Sequence, residues 1–149
     1  MSERTIVLGP GEGESITLAG NTIVFKAEAA DTGGALGFVE YTAAPGFGGP
    51  PPHVHDQLHD MYFVLEGTLT VRVGDDTLEA RPGSYVLIPP GTVHTFSNPG
   101  AEPARFLSVH TPGGFEQYFK DVADALGTGP LDPVAMGEIA ARYDFRVVS

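Results

Sequence analysis

An all-β domain followed by two C-terminal helices is the architecture this sequence predicts. Two observations carry it. Twenty glycines and thirteen prolines cluster between short apolar or alternating runs, the punctuation of many strands joined by turns. From Gly114 onward the apolar period lengthens from two residues to three and four, which is the helical period. The expected strands are Asn21–Lys26, Leu36–Tyr41, Met61–Leu65, Thr68–Val73, Ser84–Ile88 and Arg105–His110, all rich in Val, Ile, Tyr, Phe and Leu and separated by gaps that suit hairpins. Glu66-Gly67 and Gly74-Asp75-Asp76 are the clearest turns. In the first helix Phe115, Phe119, Val122 and Leu126 form one stripe, and Gly127 stands where the helix would stop. The second runs from Pro133 to about Tyr143, with Asp132 as its cap and Val134, Ile139 and Tyr143 as its apolar side. Neither helix carries an obvious reactive group, so packing over a sheet or self-association is their expected role.

Composition narrows the function. A chain of 149 residues fits one domain with a worthwhile core. Eight basic against nineteen acidic side chains give 8 − 19 = −11, which repels phosphate backbones and anionic lipid heads, so neither nucleic acid nor membrane is expected as a partner. Without cysteine, disulfides, thiolate ligands and a cysteine nucleophile are excluded, and any metal site must use imidazole and carboxylate. The stretch Met1–Pro10 lacks a basic segment leading into an apolar run, and no apolar stretch approaches a membrane span. A soluble, cytoplasmic protein is expected.

The chemistry is concentrated in the middle of the chain. Ala43–Pro52 is a Pro/Gly-rich loop, the expected rim of a site, leading into His53. Residues two apart on an extended strand point the same way, so His53 and His55 project into the same space. On a strand starting near Asp60, the residues Asp60, Tyr62 and Val64 share one face while His59, Met61, Phe63 and Leu65 take the other. Only one of His59 and Asp60 faces inward. Further on, Pro89-Pro90-Gly91 makes a turn, and the returning strand shows His94, Phe96 and Asn98 on one face. His94 therefore arrives from a separate strand. Three imidazoles and a carboxylate form a ligand set for one divalent transition metal, Fe, Mn or Ni first and Cu, Co or Zn as alternatives. Tyr62, Val64 and Phe96 are the expected pocket wall. Asn98 is expected to support a turn, and His110, without a spacing partner, is a weak candidate for an outer role.

These runs resemble the cupin family, whose paired motifs are G-x5-H-x-H-x(3,4)-E-x6-G and G-x5-P-x-G-x2-H-x3-N. The second motif is matched throughout by Gly83, Pro89, Gly91, His94 and Asn98. The first departs twice: Phe47 stands between Gly46 and Gly48 where the leading glycine belongs, and Asp60 replaces the glutamate seven residues before Gly67. Asp is one methylene shorter, so at an unchanged backbone its carboxylate falls short by roughly a carbon–carbon bond, against a tolerance of about ±0.2 Å in metal–ligand distance. Three outcomes are open: Asp60 ligates after a backbone adjustment, His59 swings in through a bulge, or three histidines and water hold the ion.

The resemblance implies a single cupin domain over 1–149, a double-stranded β-helix of jelly-roll type over about 15–112, and a helical segment over about 114–145. It also implies a metal at the barrel mouth and a homodimer. Single-domain quercetin 2,3-dioxygenase-like cupins are the most similar type, on Pro51-Pro52-His53-Val54-His55, Tyr62–Gly67, Pro103–Leu107 and Thr111–Phe115. This likeness implies dioxygenase chemistry on a small enolic or phenolic, flavonol- or polyketide-like substrate. His53, His55, His94 and Asp60 would then hold the metal, and Asp60 would also act catalytically as proton acceptor. Metal-assisted cyclisation or isomerisation without oxygen, and a non-catalytic small-molecule-binding barrel, are the alternatives.

Overall fold

The computed structural model describes residues 4–127 and 133–148. In chain order its elements are β1 (Glu14–Leu18), β2 (Asn21–Ala27), α1 (Ala29–Thr32), β3 (Gly37–Ala43), β4 (His53–Val54), β5 (His59–Glu66), β6 (Leu69–Val73), β7 (Asp76–Ala80), β8 (Tyr85–Ile88), β9 (His94–Ser97), β10 (Ala104–Thr111), α2 (Glu116–Leu126), α3 (Pro133–Ala140) and β11 (Arg146–Val147). All six expected strands are present, with ends shifted by one or two residues. The extended segments expected to carry His53 and His94 are β4 and β9, and three further strands, β1, β7 and β11, and the short α1 join them.

Two antiparallel sheets result, ordered β1-β2-β3-β10-β5-β8 and β11-β4-β9-β6-β7. The fold is the double-stranded β-helix that the resemblance implied. Period-two alternation decides what lies between the sheets: Val39, Tyr41 and Ala43 from β3, Tyr62 and Val64 from β5, and Ala104 and Phe106 from β10 are buried, and Leu69, Val71 and Ala80 meet them from the other sheet in one cluster. Each large apolar side chain so buried stabilises the fold by roughly 1.5–3 kcal/mol. Tyr41 stacks on Phe106 with centroids 5.1 Å apart, and Phe96 meets Phe106 edge-on at 5.4 Å.

Two glycines let the site's loops close. Gly49, at φ +84°, passes so near β9 that a Cβ there would lie 1.9 Å from the Phe96 carbonyl oxygen. Gly91, at φ +82°, turns the chain between β8 and β9 and donates its N–H to the His55 carbonyl at 2.8 Å, which pins the His94 strand beside the His55 segment. Asn98 braces the rim as expected: its amide donates to the carbonyls of Ala43 at 3.1 Å and Glu102 at 2.8 Å, and its oxygen accepts from the Gly100 N–H at 3.2 Å.

The helical segment departs from expectation in detail. Phe115, just before α2, and Phe119 and Val122 within it are buried together with Tyr118, and the helix stops at Gly127 as expected, though that glycine keeps a right-handed conformation, whereas Leu126 at the outer end is 37% exposed. α3 ends at Ala140, short of Tyr143. Ile139 is buried, but Val134, on the first turn, is 70% exposed and outside the stripe expected for it. Asp132 lies outside the described residues. No helix among the described residues is long and apolar enough to cross a membrane.

Candidate metal centre

His53 and His94 are direct cross-strand partners in the β4–β9 ladder, and His55 follows one residue after β4. Each offers a ring nitrogen to a common space, all three lying within 4.8 Å of one another and all buried. Which nitrogen points inward is settled by the other. Nδ1 of His53 donates to the Pro51 carbonyl at 2.8 Å, Nδ1 of His94 to the Thr92 carbonyl at 2.9 Å, and Nδ1 of His55 to the Asp144 carbonyl at 2.5 Å. A backbone carbonyl can only accept, so each Nδ1 carries the proton and each Nε2 presents a lone pair. Nε2 of His55 is buried without any hydrogen-bond partner. Such an orphan, beside two more imidazole lone pairs, is what a divalent cation would satisfy, so the residues fit the metal.

Asp60 stands beside this triad. Its Oδ2 lies 3.6 Å from Nε2 of His55 and 3.4 Å from Nε2 of His94, and accepts the Tyr62 hydroxyl at 2.9 Å. Burial favours its neutral form, but His110, His55 and His94 outweigh burial and hold the carboxyl well below the usual range. Burial, with His94 adding, lowers His53 to about 4, keeping it a neutral ligand at physiological pH. Burial also acts to lower His55, yet Asp60 and the Asp144 carbonyl leave it raised. The Tyr62 hydroxyl is pushed up by burial and by Asp60, and so remains a proton donor.

The other expected site residues divide. His59 is exposed on the outer face of β5, paired in the ladder with Thr111, because the strand runs without the bulge that would turn it inward. It does not join the site. Tyr62 and Phe96 line the cavity, whereas Val64, two residues further along β5, is fully buried in the core and forms no part of the lining.

His110, expected only as a weak candidate for an outer role, reaches the site, and other participants escaped the sequence reading. His110 lies opposite Asp60 in the β10–β5 ladder, 1% exposed, with Nε2 3.4 Å from Asp60 Oδ1. Its signal was parity, since Ala104, Phe106, Ser108 and His110 alternate along one strand and all four are buried. Asp144 supplies the His55 anchor, and its carboxylate accepts the N–H groups of Asp56, Gln57 and Leu58 at 2.6, 2.7 and 2.9 Å. Phe145 stacks on His53 with centroids 4.4 Å apart. Above the triad opens a cavity of about 260 Å³, walled by Phe47 from the rim loop, by Phe115, Tyr118 and Phe119 around α2, and by Met136 and Phe145. The helices thus form the wall over the barrel mouth.

The family model described as Cupin domain matches residues 39–110, the stretch that carries the triad, Asp60 and His110. The chain belongs to the cupin superfamily. Over 72 residues, 48% of this cupin, it is 26% identical to quercetin 2,3-dioxygenase of Bacillus subtilis, of which that stretch covers 21%. Across the curated relatives it matches, the chain spans between 12% and 54% of their length. Among solved structures, the polyketide cyclase RemF from Streptomyces resistomycificus superposes with a TM-score of 0.62 at 24% identity, covering 72% of this cupin and 80% of that chain. A predicted oxalate decarboxylase from Thermotoga maritima gives 0.61 at 19% identity, covering 72% and 99%. At these identities the superpositions establish the fold.

Proposed function

We propose that this cupin is a metal-dependent enzyme acting on a small enolic or phenolic molecule, with oxygen incorporation as its reaction. The observation that carries the metal is the convergence of three Nε2 lone pairs whose Nδ1–H groups are all held by backbone carbonyls. Three imidazoles leave coordination positions free and suit Fe(II), Mn(II) or Ni(II). When bound, the ion supplies Lewis acidity and, if redox-active, electron transfer to oxygen. The chain's own residues do the rest: Asp60, ionised and buried, is placed to accept a substrate proton, and Phe47, Phe96, Phe115 and Phe119 exclude water around an aromatic guest. At about 260 Å³ the cavity lies just below the usual range of roughly 300–1,000 Å³ for ligand pockets, which favours a one- or two-ring enol. The likeness to quercetin 2,3-dioxygenase supports oxygen use. The fold likeness to a polyketide cyclase supports the second reading, cyclisation or isomerisation of a similar molecule without oxygen.

A second copy belongs to the same proposal. Edge strand β8 exposes Tyr85 and Leu87, whose ladder partners on β5 are the exposed Phe63 and the half-buried Met61. An apolar row on an open edge is suited to burial against its own two-fold mate.

The deciding experiment is elemental analysis of protein purified without added metal, paired with His94→Ala, followed by oxygen-electrode assays over a panel of enols. About one ion per chain, absent from the variant, with enol-dependent oxygen uptake supports the proposal. Turnover without oxygen uptake selects the cyclase reading. Equal metal in both proteins, or none in either, removes the basis for metal chemistry, and a loaded protein inert to every enol leaves a binding barrel.

A further inference from the structure

We propose that the Tyr41 hydroxyl, oriented by Asn21, is a hydrogen-bond donor in the cavity wall away from the metal triad, so that the ligand carries an acceptor oxygen, a carbonyl or an ether, on the part that meets it. This deepens the function proposed above and rests on it for the aromatic nature of the ligand.

Asn21 and Tyr41 are 0% and 3% exposed, and both line the cavity. The Oδ1 of Asn21 accepts the Ala44 N–H at 2.7 Å, so its Nδ2 is the atom that faces the Tyr41 oxygen, at 3.4 Å. An amide nitrogen only donates; the tyrosine oxygen therefore accepts from Asn21 and keeps its own proton unspent. Among the described residues no acceptor takes that proton. Tyr62, the other buried tyrosine that a strand places in the cavity wall, gives its proton to Asp60 at 2.9 Å, so of the two only Tyr41 has a donor to offer. Burial pushes the Tyr41 hydroxyl well above its ordinary value, which keeps the proton on the oxygen.

Strand register separates this donor from the triad. Gly37 on β3 lies opposite His110 and Tyr41 opposite Phe106, while His110 is opposite Asp60 on its other side. Four residues of strand at about 3.3 Å each carry the Tyr41 backbone roughly 13 Å along the sheet from the Asp60 level. Asn21, one step past the Thr22–Thr42 pair, lies further in the same direction and draws the hydroxyl with it. Tyr62 and Tyr118 lie within electrostatic reach of that hydroxyl and line the same cavity, so it opens on the cavity. Around it stand the rings of Phe47, Phe96 and Phe119, with centroids 6.4, 5.4 and 6.0 Å from that of Tyr41. The cavity therefore offers opposite groups at its two ends, lone pairs and a carboxylate at the triad and an unspent proton at Tyr41. A guest carbon against that O–H leaves a buried donor dry, whereas an oxygen lone pair completes it, the situation in which hydrogen bonding separates guests of one shape most strongly.

The test titrates the protein as purified with para-hydroxyacetophenone and with para-isopropylphenol, two phenols of one shape of which only the first has a carbonyl acceptor. Tyr41→Phe keeps the ring stacked on Phe106 and deletes only the oxygen. In that variant the ratio of ketone to alkyl affinity is expected to fall on the order of ten-fold. Infrared spectra of the bound ketone, isotope-labelled at its carbonyl, should show a stretch lowered by hydrogen bonding in the wild-type protein and restored toward its apolar-solvent frequency in the variant. A ratio unchanged by the substitution, or one carbonyl frequency in both proteins, overturns the donor site. Should the variant fail to fold, the wild-type spectrum decides: a bound carbonyl stretching no lower than in apolar solvent overturns the site, as does absence of binding by both phenols. Neither measurement needs turnover or a known metal content, so the metal reading can fail by elemental analysis while the donor site stands, and the reverse.

Discussion

Replacing Asp144 with alanine should loosen the metal centre from a position outside it. The Asp144 carboxylate holds three consecutive backbone N–H groups, those of Asp56, Gln57 and Leu58, between 2.6 and 2.9 Å, directly after the candidate ligand His55. Hydrogen bonds to a charged acceptor contribute roughly 1.5–3 kcal/mol each when taken singly. Here the acceptor is half-exposed, water replaces part of what is lost, and the three share one carboxylate, so the expected loss of stability is about 2–3 kcal/mol in total. The backbone carbonyl of the same residue anchors Nδ1 of His55; alanine keeps that carbonyl but loosens the segment that presents it, and since outright loss of such an outer partner weakens metal affinity about 10–100-fold, a weakening toward the lower end, about 10-fold, is expected. Chelator competition measures the affinity, and hydrogen exchange reports on the amides of residues 56–58. Arg146→Ala, which removes only the exposed pair with Asp56, is the control and should leave both unchanged. Metal affinity in Asp144→Ala within two-fold of wild type, with unaltered exchange at 56–58, would refute the reasoning.

Two further outcomes follow from the geometry. His53, lowered to about 4 from an ordinary 6.5, binds its proton more readily in the unfolded chain, so between those values the unfolded state carries more protons and stability of the metal-free protein falls as pH decreases. The span of 2.5 pH units at 1.36 kcal/mol each sets an upper bound of about 3 kcal/mol, measurable by urea unfolding from pH 7 to 4, and a flat profile would contradict it. Tyr85→Lys with Leu87→Glu places charge on the apolar row of β8 and should convert a dimer to a monomer in sedimentation velocity without loss of bound metal; an unchanged mass would place the self-association surface elsewhere.

Much of the site was legible because it is written in short-range spacing. His53 and His55 two apart, and the run from Gly83 to Asn98, marked the three candidate ligands and the turn between strands. Period-two parity correctly set Asp60 and Tyr62 inward and His59 outward. The same parity applied to β10 would have turned Ser108 and His110 inward, but two polar residues on an otherwise apolar face carry no cue until the strand opposite is known, and Asp60 is fifty residues away. β7 was missed because four of its five residues are exposed, so it shows no alternation, and β1 because its pattern is nearly as weak. The anchors of the three histidines were beyond reach for a different reason. They are backbone carbonyls of Pro51, Thr92 and Asp144, a chemistry every residue shares, and only the folded path of the chain selects them.

Those three carbonyls separate two kinds of inheritance in this barrel. The orientation of the ion's cradle depends on main-chain oxygens that substitution of neighbouring side chains leaves in place, whereas the guest's fit depends on Phe47, Tyr118, Phe119 and Met136, contributed by a loop and two helices outside the sheets. Walls can therefore be exchanged, by evolution or by a designer, to admit a different molecule while the cradle persists. A library restricted to those four positions is the natural place to seek altered selectivity in a barrel whose histidine cradle is unchanged.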